Sequence, residues 1–418
     1  MNETYPMLAV EEARSRILEH FAPLEPERIP ILEALDRVLA EDVRAEMDIP
    51  PLANTAMDGY AVRIEDTANA SPENPARLRV VADLAAGYVL SEPLQPGTAV
   101  RIMTGAPIPP GAEAVVPFEN TERDGDYVLI FKPYSMWKNI RHAGEDVKKG
   151  EVVLARGKTL RPQEIGMLAA LGHPTVLVHR RPRVAVLSTG DEVIDVTDPW
   201  QPGKIRDANS YTVSALIQKY GGIPLRLGIA PDTIEALTAK IREALSLNAD
   251  FILTSGGVSM GDFDVVKKVL ATEGEMHFWR ARMKPGKPMA FGEIQGVPLL
   301  GLPGNPVSST ISFELFARPA ILTMLGKTRL EKPVIDAILV DPVKRKDNRR
   351  HYLRVWLEEK DGQIYAHLTG DQGSGILRSM VQADGLAIIP EELNHTPPNF
   401  PIKVMMLDWP ETPEYSQT

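Results

Sequence analysis

Residues 183–192 read Arg-Val-Ala-Val-Leu-Ser-Thr-Gly-Asp-Glu, a short apolar run that stops at a hydroxyl and glycine turn followed by two carboxylates. Runs of this length bounded by turn residues predict buried strands. The organisation repeats downstream, with strands expected at 183–187, 224–229, 250–254 and 297–301 and helices at 211–220, 233–245 and 307–325. Alternation of that kind predicts a mostly parallel sheet with helices on both faces.

On either side the periodicity changes. Upstream, residues 43–141 hold short β-rich runs at 78–81, 99–103, 114–118 and 127–131, separated by turns such as Gln95-Pro96-Gly97 and Asp124-Gly125-Asp126. A β-rich insert domain is expected there. Residues 150–178 mix strand and helix, with Pro162 at an expected first helical position and Gly172 just past the helix end. Nearer the start, Leu8, Ala13, Ile17, Leu18 and Phe21 share a helical stripe, and a second helix is expected at 31–39. Asp48-Ile49-Pro50-Pro51 then forms a stiff joint that no helix can cross. Beyond Lys332-Pro333, alternating runs at 352–357, 364–368, 385–389 and 402–407 predict a small β-barrel or sandwich.

Composition narrows the function classes. A chain of 418 residues suggests about three domains at ~150 residues each. Its 36 prolines exceed average usage while its 31 glycines do not, which points to rigid turns and strand edges rather than low-complexity disorder. A net charge of -10 argues against a nucleic-acid partner, because phosphate backbones are bound by an excess of Lys and Arg. Without cysteine the chain has no disulfide, thiolate nucleophile or Cys-based metal site. The eight histidines show no metal-ligand spacing. Glu3, Glu11, Glu12 and Glu19 replace the basic and apolar regions of a secretory signal, and no run approaches the ~18 apolar residues of a membrane span, so a cytoplasmic location is expected.

Ligands of open α/β sheets bind outside the C-terminal strand ends. Three expected strands end in informative loops: Ser188-Thr189-Gly190-Asp191-Glu192; Ser255-Gly256-Gly257-Val258-Ser259-Met260-Gly261-Asp262-Phe263-Asp264; and Leu302-Pro303-Gly304-Asn305-Pro306-Val307-Ser308-Ser309. Each joins glycines, which let a ligand approach the backbone, to groups that bond phosphate oxygens. In the third, Asn305 is expected to cap the helix and Pro306 to begin it, aiming the free N–H groups of Val307 and Ser308 at an anion. Asp191, Glu192, Asp262 and Asp264 offer hard oxygen ligands suited to Mg²⁺. Taken alone, Asp191 and Glu192 fit surface solvation or helix capping better than a metal site. The segment Arg280-Ala281-Arg282-Met283-Lys284-Pro285-Gly286-Lys287 places four cations in eight residues, suited to a pyrophosphate, an oxyanion or both.

Taken together, PPLANTAMDGYAVR (50–63), RIMTGAPIPPGAEAVVPFE (101–119), STGDE (188–192), TSGGVSMGDFD (254–264), KPGKP (284–288) and GLPGNPVSS (301–309) resemble, in order and context, the signature segments of MoeA-type molybdopterin molybdenumtransferases, also found in the gephyrin E domain. The last β-rich region matches mainly through Gln372-Gly373-Ser374-Gly375. The resemblance implies a multidomain α/β fold: an N-terminal helix at 1–23, a composite linking domain at 24–45 and 145–180, a β-rich insert at 46–144, a MogA-like doubly wound α/β domain at 181–328 and a C-terminal β-barrel at 329–418. It also implies a homodimer whose cleft joins the α/β domain of one subunit to insert and C-terminal elements of the other.

Carried over by position, the resemblance implies activity or cofactor-assembly roles for Asp58, Thr104, Asp146, Glu192, Asp232, Asp264, Lys284, Pro303 and Pro306. Binding positions include Ser188, Thr189, Gly190, Ser255, Gly256, Gly257, Ser259, Lys287, Gly304, Asn305, Ser308 and Ser374, with Asp191, Glu192 and Asp264 as Mg²⁺ ligands. Arg280 stands where a relative has lysine, and a guanidinium is not an ammonium. The implied reaction takes adenylylated molybdopterin and molybdate to the molybdenum cofactor with release of AMP. On this view Lys284, Lys287 and Arg280 bind molybdate, and Asp58 is the first choice for protonating the departing oxygens. A MogA-type adenylyltransferase would supply the substrate and molybdoenzymes would accept the product. Two alternatives are molybdopterin adenylyltransferase, which the α/β domain alone would suit, and a non-catalytic gephyrin-like scaffold. The long insert and C-terminal region argue against the first, and the lack of a fused adenylyltransferase domain and long linker against the second.

Overall fold

The computed structural model describes residues 7–257, 265–276 and 280–408. Two compact units emerge. The first contains the described residues of Met1–Ala40, Thr159–Arg161 and Thr175–Thr418, and the second Glu41–Lys158 and Pro162–Pro174.

At the centre of the first unit is a six-stranded sheet in the order Ile223–Ala230, Arg183–Thr189, Phe251–Ser255, Val297–Leu302, Ala290–Ile294, Glu275–Met276. The first four strands are parallel and the last two antiparallel. Side chains of a strand alternate faces, and both faces are buried. Val184 and Val186 enter one core with the helices Asn209–Lys219 and Pro306–Ser312, while Ala185 and Leu187 enter another with Ile234–Ser246 and Val265–Glu273. Burial on both sides is why the strand reads as a continuous apolar run. The helix Val10–Leu18 buries Val10, Ala13 and Ile17 on the first core. The strand Ala290–Ile294 and the helix Val265–Glu273 were not anticipated from the sequence pattern.

The expected helix at 307–325 runs from Pro306 to Met324, but Phe313–Ala317 is π-helical. Within that turn the buried Glu314 carboxylate accepts the Tyr220 hydroxyl at 2.9 Å and pairs with Lys332 at 3.2 Å. The expected helix at 31–39 is a correction. Only Ile31–Ala34 is helical, as a 3₁₀ turn, because Leu35 is extended and Asp36 turns left-handed at φ 62. The apolar spacing there misled, since Leu32 and Leu35 point to solvent.

The C-terminal strands close on themselves in the order Arg350–Lys360, Gln363–Leu368, Val334–Leu339, Phe400–Met406, Gly385–Ile389 and back to Arg350–Lys360. This is a barrel, not a sandwich. It encloses its own core of Ala337, Leu339, Val355, Leu357, Ala366, Ala387 and Val404.

The second unit is built on another six-stranded sheet, ordered Ala114–Pro117, Gly59–Val62, Thr98–Ile102, Ala76–Leu84, Tyr127–Ile130, Thr121–Asp124. The segment expected to link the domains contributes to both units: Pro26–Pro30 pairs with Thr175–His179 in the first, and Val43–Arg44 with Val152–Leu154 in the second.

Among the described residues, no helix is long and apolar enough to cross a membrane.

Candidate functional site

Strands Arg183–Thr189, Phe251–Ser255 and Val297–Leu302 end side by side, so the loops leaving them meet by construction. Around them opens a cavity of about 740 Å³, within the range of pockets that hold drug-sized ligands. Of the residues expected from sequence, its wall contains Ser188, Thr189, Gly190, Glu192, Asp232, Ser255, Gly256, Gly257, Pro303, Gly304, Asn305 and Pro306.

Close backbone approach explains the glycines of the middle loop. Gly256 has φ +94, and a Cβ there would lie 2.6 Å from the Thr189 carbonyl oxygen. Its N–H donates to the Leu302 carbonyl at 3.1 Å, so one peptide touches both neighbouring loops. Thr189 is buried, and its hydroxyl has no hydrogen-bond partner among the described residues. Since buried polar groups are almost always satisfied, this orphan suits a site completed by a ligand.

Two residues that sequence reasoning missed hold the loops in place. Asp207 is buried; its carboxylate accepts the Ser188 hydroxyl at 2.9 Å, the Ser210 N–H at 3.0 Å and the Ser210 hydroxyl at 2.6 Å. Asn209 donates from Nδ2 to Ser255 Oγ and to the Gly304 carbonyl, each at 2.7 Å. The available signal was Asp207-Ala208-Asn209-Ser210 ahead of the amphipathic helix, an acidic residue three positions before a serine in the manner of a helix cap. Arg206, Ile205, Val193, Ala208, Pro288 and Gly375 complete the missed part of the wall.

The electrostatics of the wall are acidic. Burial raises the Asp232 pKa above the ordinary carboxylate value; a hydrogen bond from the Asp191 backbone lowers it, and the nearby charges of Asp191 and Glu192 raise it. The Asp232 N–H in turn donates to Asp191 Oδ1 at 3.3 Å. Asp191 itself does not line the cavity, and its carbonyl accepts the Lys204 ammonium. Among the described residues, no group of three His, Asp or Glu side chains is gathered as a ready metal cage.

Several expectations are revised. Asn305 occupies the N-cap position without a side-chain capping bond, and the Val307 N–H, expected to be free for an anion, donates to the Ser374 carbonyl at 3.2 Å. Ser308 is buried inside the helix rather than in the wall. Ser374 is represented in the wall only by its neighbour Gly375. Lys284 is exposed on the short strand Met283–Lys284, Lys287 is half-buried, and neither lines the cavity, although Pro288 does. Arg280 sits in register with Met7 on the pair formed by Arg280–Ala281 and Met7–Leu8. Ser259, Asp262 and Asp264 lie outside the described residues.

Asp58, Thr104 and Asp146 belong to the second unit. There Asp58 Oδ1 accepts the Thr104 N–H and the Thr104 hydroxyl, both at 2.7 Å. These two bonds lower the Asp58 pKa.

Comparison with known proteins bears on the whole chain. Three family models match in succession: the MoeA N-terminal region (domain I and II) over residues 8–172, a probable molybdopterin binding domain over 185–323 and the MoeA C-terminal region (domain IV) over 336–407. The chain is 38% identical over 393 residues to molybdopterin molybdenumtransferase 2 of Mycobacterium tuberculosis, covering 93% of this chain and 96% of that one. It is likewise 38% identical to the molybdopterin molybdenumtransferase of Haemophilus influenzae, covering 92% and 95%. A solved molybdopterin biosynthesis MoeA protein from Pyrococcus horikosii superposes with a TM-score of 0.86 at 33% identity, covering 96% of this chain and all of that one.

Proposed function

The chain belongs to the MoeA family and inserts molybdenum during molybdenum-cofactor biosynthesis, and from that premise we propose that the cavity at the sheet ends binds adenylylated molybdopterin. The observation behind this reading is the convergence of the three strand-end loops on one cavity lined by hydroxyls, backbone turns and carboxylates. Backbone N–H groups and hydroxyls of such loops suit phosphate oxygens. The unpartnered Thr189 hydroxyl supports an acceptor supplied by the ligand.

Mg²⁺ fits the donor set. It commonly uses one or two carboxylates together with water and substrate phosphates, not a full protein cage. Glu192 and Asp232 are the wall carboxylates that would hold it, with Asp191 fixing the Asp232 backbone; Asp264 is the further ligand implied by resemblance. When bound, the ion would neutralise phosphate charge at the bond to be cleaved.

The chain's own residues do the rest. Asp207 and Asn209 keep the loops in register, and Ser188, Ser255 and the loop amides position the substrate. Lys284 and Lys287 supply positive charge for molybdate, with Arg280 beside them in sequence. The reading also includes a cytoplasmic homodimer in which Asp58 and Thr104 serve the partner's pocket. A MogA-type enzyme would supply the substrate, and molybdoenzymes would receive the product.

The test is to incubate the pure protein with adenylylated molybdopterin, Mg²⁺ and molybdate. Molybdate-stimulated AMP release is the expected result. Adenylylation of free pterin from ATP would instead assign the neighbouring adenylyltransferase activity, and neither activity would leave a scaffold.

A further inference from the structure

One edge of the cavity is a flap. Val193–Ile194 and Ile205–Arg206 pair as two short parallel strands, with Val193 opposite Ile205 and Ile194 opposite Arg206. Val193 and Ile205 line the cavity, and the connection between the strands exposes Val196 and Trp200. A segment of this length has no helix and no core of its own; backbone bonds from Ile205 N–H to the Glu192 carbonyl at 2.8 Å and from Asp207 N–H to the Ile194 carbonyl at 2.9 Å join its strands, and side-chain bonds to its backbone shape the turn between them.

Those bonds come mainly from one side chain. Arg206 Nη1 donates to the carbonyls of Asp195 at 3.1 Å, Val196 at 2.6 Å and Asp198 at 3.0 Å. Asp195 continues the brace: its Oδ1 accepts the Thr197 N–H at 3.2 Å and hydroxyl at 3.0 Å. Its Oδ2 lies 3.6 Å from Arg226, whose guanidinium stacks 3.7 Å over the Tyr211 ring on the helix Asn209–Lys219. Arg206 is also the one cation in the cavity wall among the described residues, beside Glu192, Asp207 and Asp232.

We infer that Arg206 is a positioning residue for substrate binding: by gathering three carbonyls of the 195–198 turn it holds the flap so that Val193 and Ile205 form one wall of the pocket. The inference rests on the cavity being the site of the adenylylated ligand. It goes beyond that reading in assigning affinity to a side chain that works through the flap. A guanidinium suits the task because its charge strengthens each bond to a carbonyl.

The experiment compares the full-length protein with Arg206→Met and Arg206→Lys, using AMP as the binding probe. Calorimetry reads affinity, and amide hydrogen exchange reads the flap. For Arg206→Met the expected results are about tenfold weaker AMP binding, faster exchange confined to 195–206, and a KM for adenylylated molybdopterin raised far more than kcat is lowered. Arg206→Lys, which keeps charged donors near the same carbonyls, should recover most of the affinity and the protection. Wild-type affinity in Arg206→Met would overturn the inference alone, and so would weaker binding with unchanged flap exchange, which would mean a direct charge effect. Failure of the unaltered protein to bind AMP would overturn the ligand reading on which the inference stands. An Arg206→Met protein that unfolds would be replaced by Asp195→Asn, which loosens the same turn from its other side and should give the same exchange pattern with a smaller loss of affinity.

Discussion

The Asn209 side-chain amide lies 2.7 Å from Ser255 Oγ and, from the same nitrogen, 2.7 Å from the Gly304 carbonyl, so a single nitrogen ties the second and third strand-end loops together. Removing it leaves both acceptors to find other partners. Asn209→Ala should lower stability by about 1–2 kcal/mol, measured by urea unfolding. Molybdate-dependent AMP release should fall by more than the stability loss explains.

Glu192 is the acidic wall residue that also lies over the first loop, where a Cβ at Gly190 would meet its carboxylate at 2.6 Å. As the proposed Mg²⁺ ligand it is needed for charge rather than for packing. Glu192→Gln keeps its size and should reduce AMP release on the order of a hundredfold while leaving the unfolding midpoint unchanged. Near-wild-type turnover at limiting Mg²⁺ would remove it from the metal role.

Gly256 tests the shape of the cradle. Any side chain there is strained twice, by φ +94 and by the 2.6 Å approach to the Thr189 carbonyl. Gly256→Ala should cost about 1–3 kcal/mol and weaken AMP binding. Gly362→Ala, with φ +75 but open space around it and outside the cavity wall, should show the backbone strain without the loss of ligand.

Asp232 predicts a pH dependence. Its pKa is raised in the folded protein, with burial the largest cause, so the folded state holds its proton more tightly than the unfolded state does. Between the unfolded value near 3.8 and the raised folded value, stability therefore falls as pH increases. Asp232→Asn should remove that penalty, raising Tm at neutral pH by an amount that shrinks as the pH is lowered toward 4. A gain independent of pH would mean that the carboxylate charge is not its source.

The primary structure by itself determined the α/β core and the location of the cradle. A parallel sheet buried on two faces needs uninterrupted apolar runs, so 183–187, 250–254 and 297–301 were plain to read, and strand ends impose a place on whatever follows them. That is why Ser188, Gly256 and Pro303, far apart in the chain, were identified as neighbours. Glycines at close approaches and the Pro306 helix start were legible for the same local reason.

Only the tertiary structure decided how those loops are held and which groups remain free. Asp207 and Asn209 matter because folding brings them to loops distant in the chain: Asp207 to Ser188, 19 positions away, and Asn209 to Ser255 and Gly304, 46 and 95 positions away, distances no periodicity encodes. The Val307 N–H is occupied because the barrel segment brings the Ser374 carbonyl to it. Closure of the barrel, likewise, depends on the pairing of Arg350–Lys360 with Gly385–Ile389. Local sequence sets which backbone shapes are cheap, while long-range packing assigns the partner of each polar group, and the chemistry of a pocket depends on those partners.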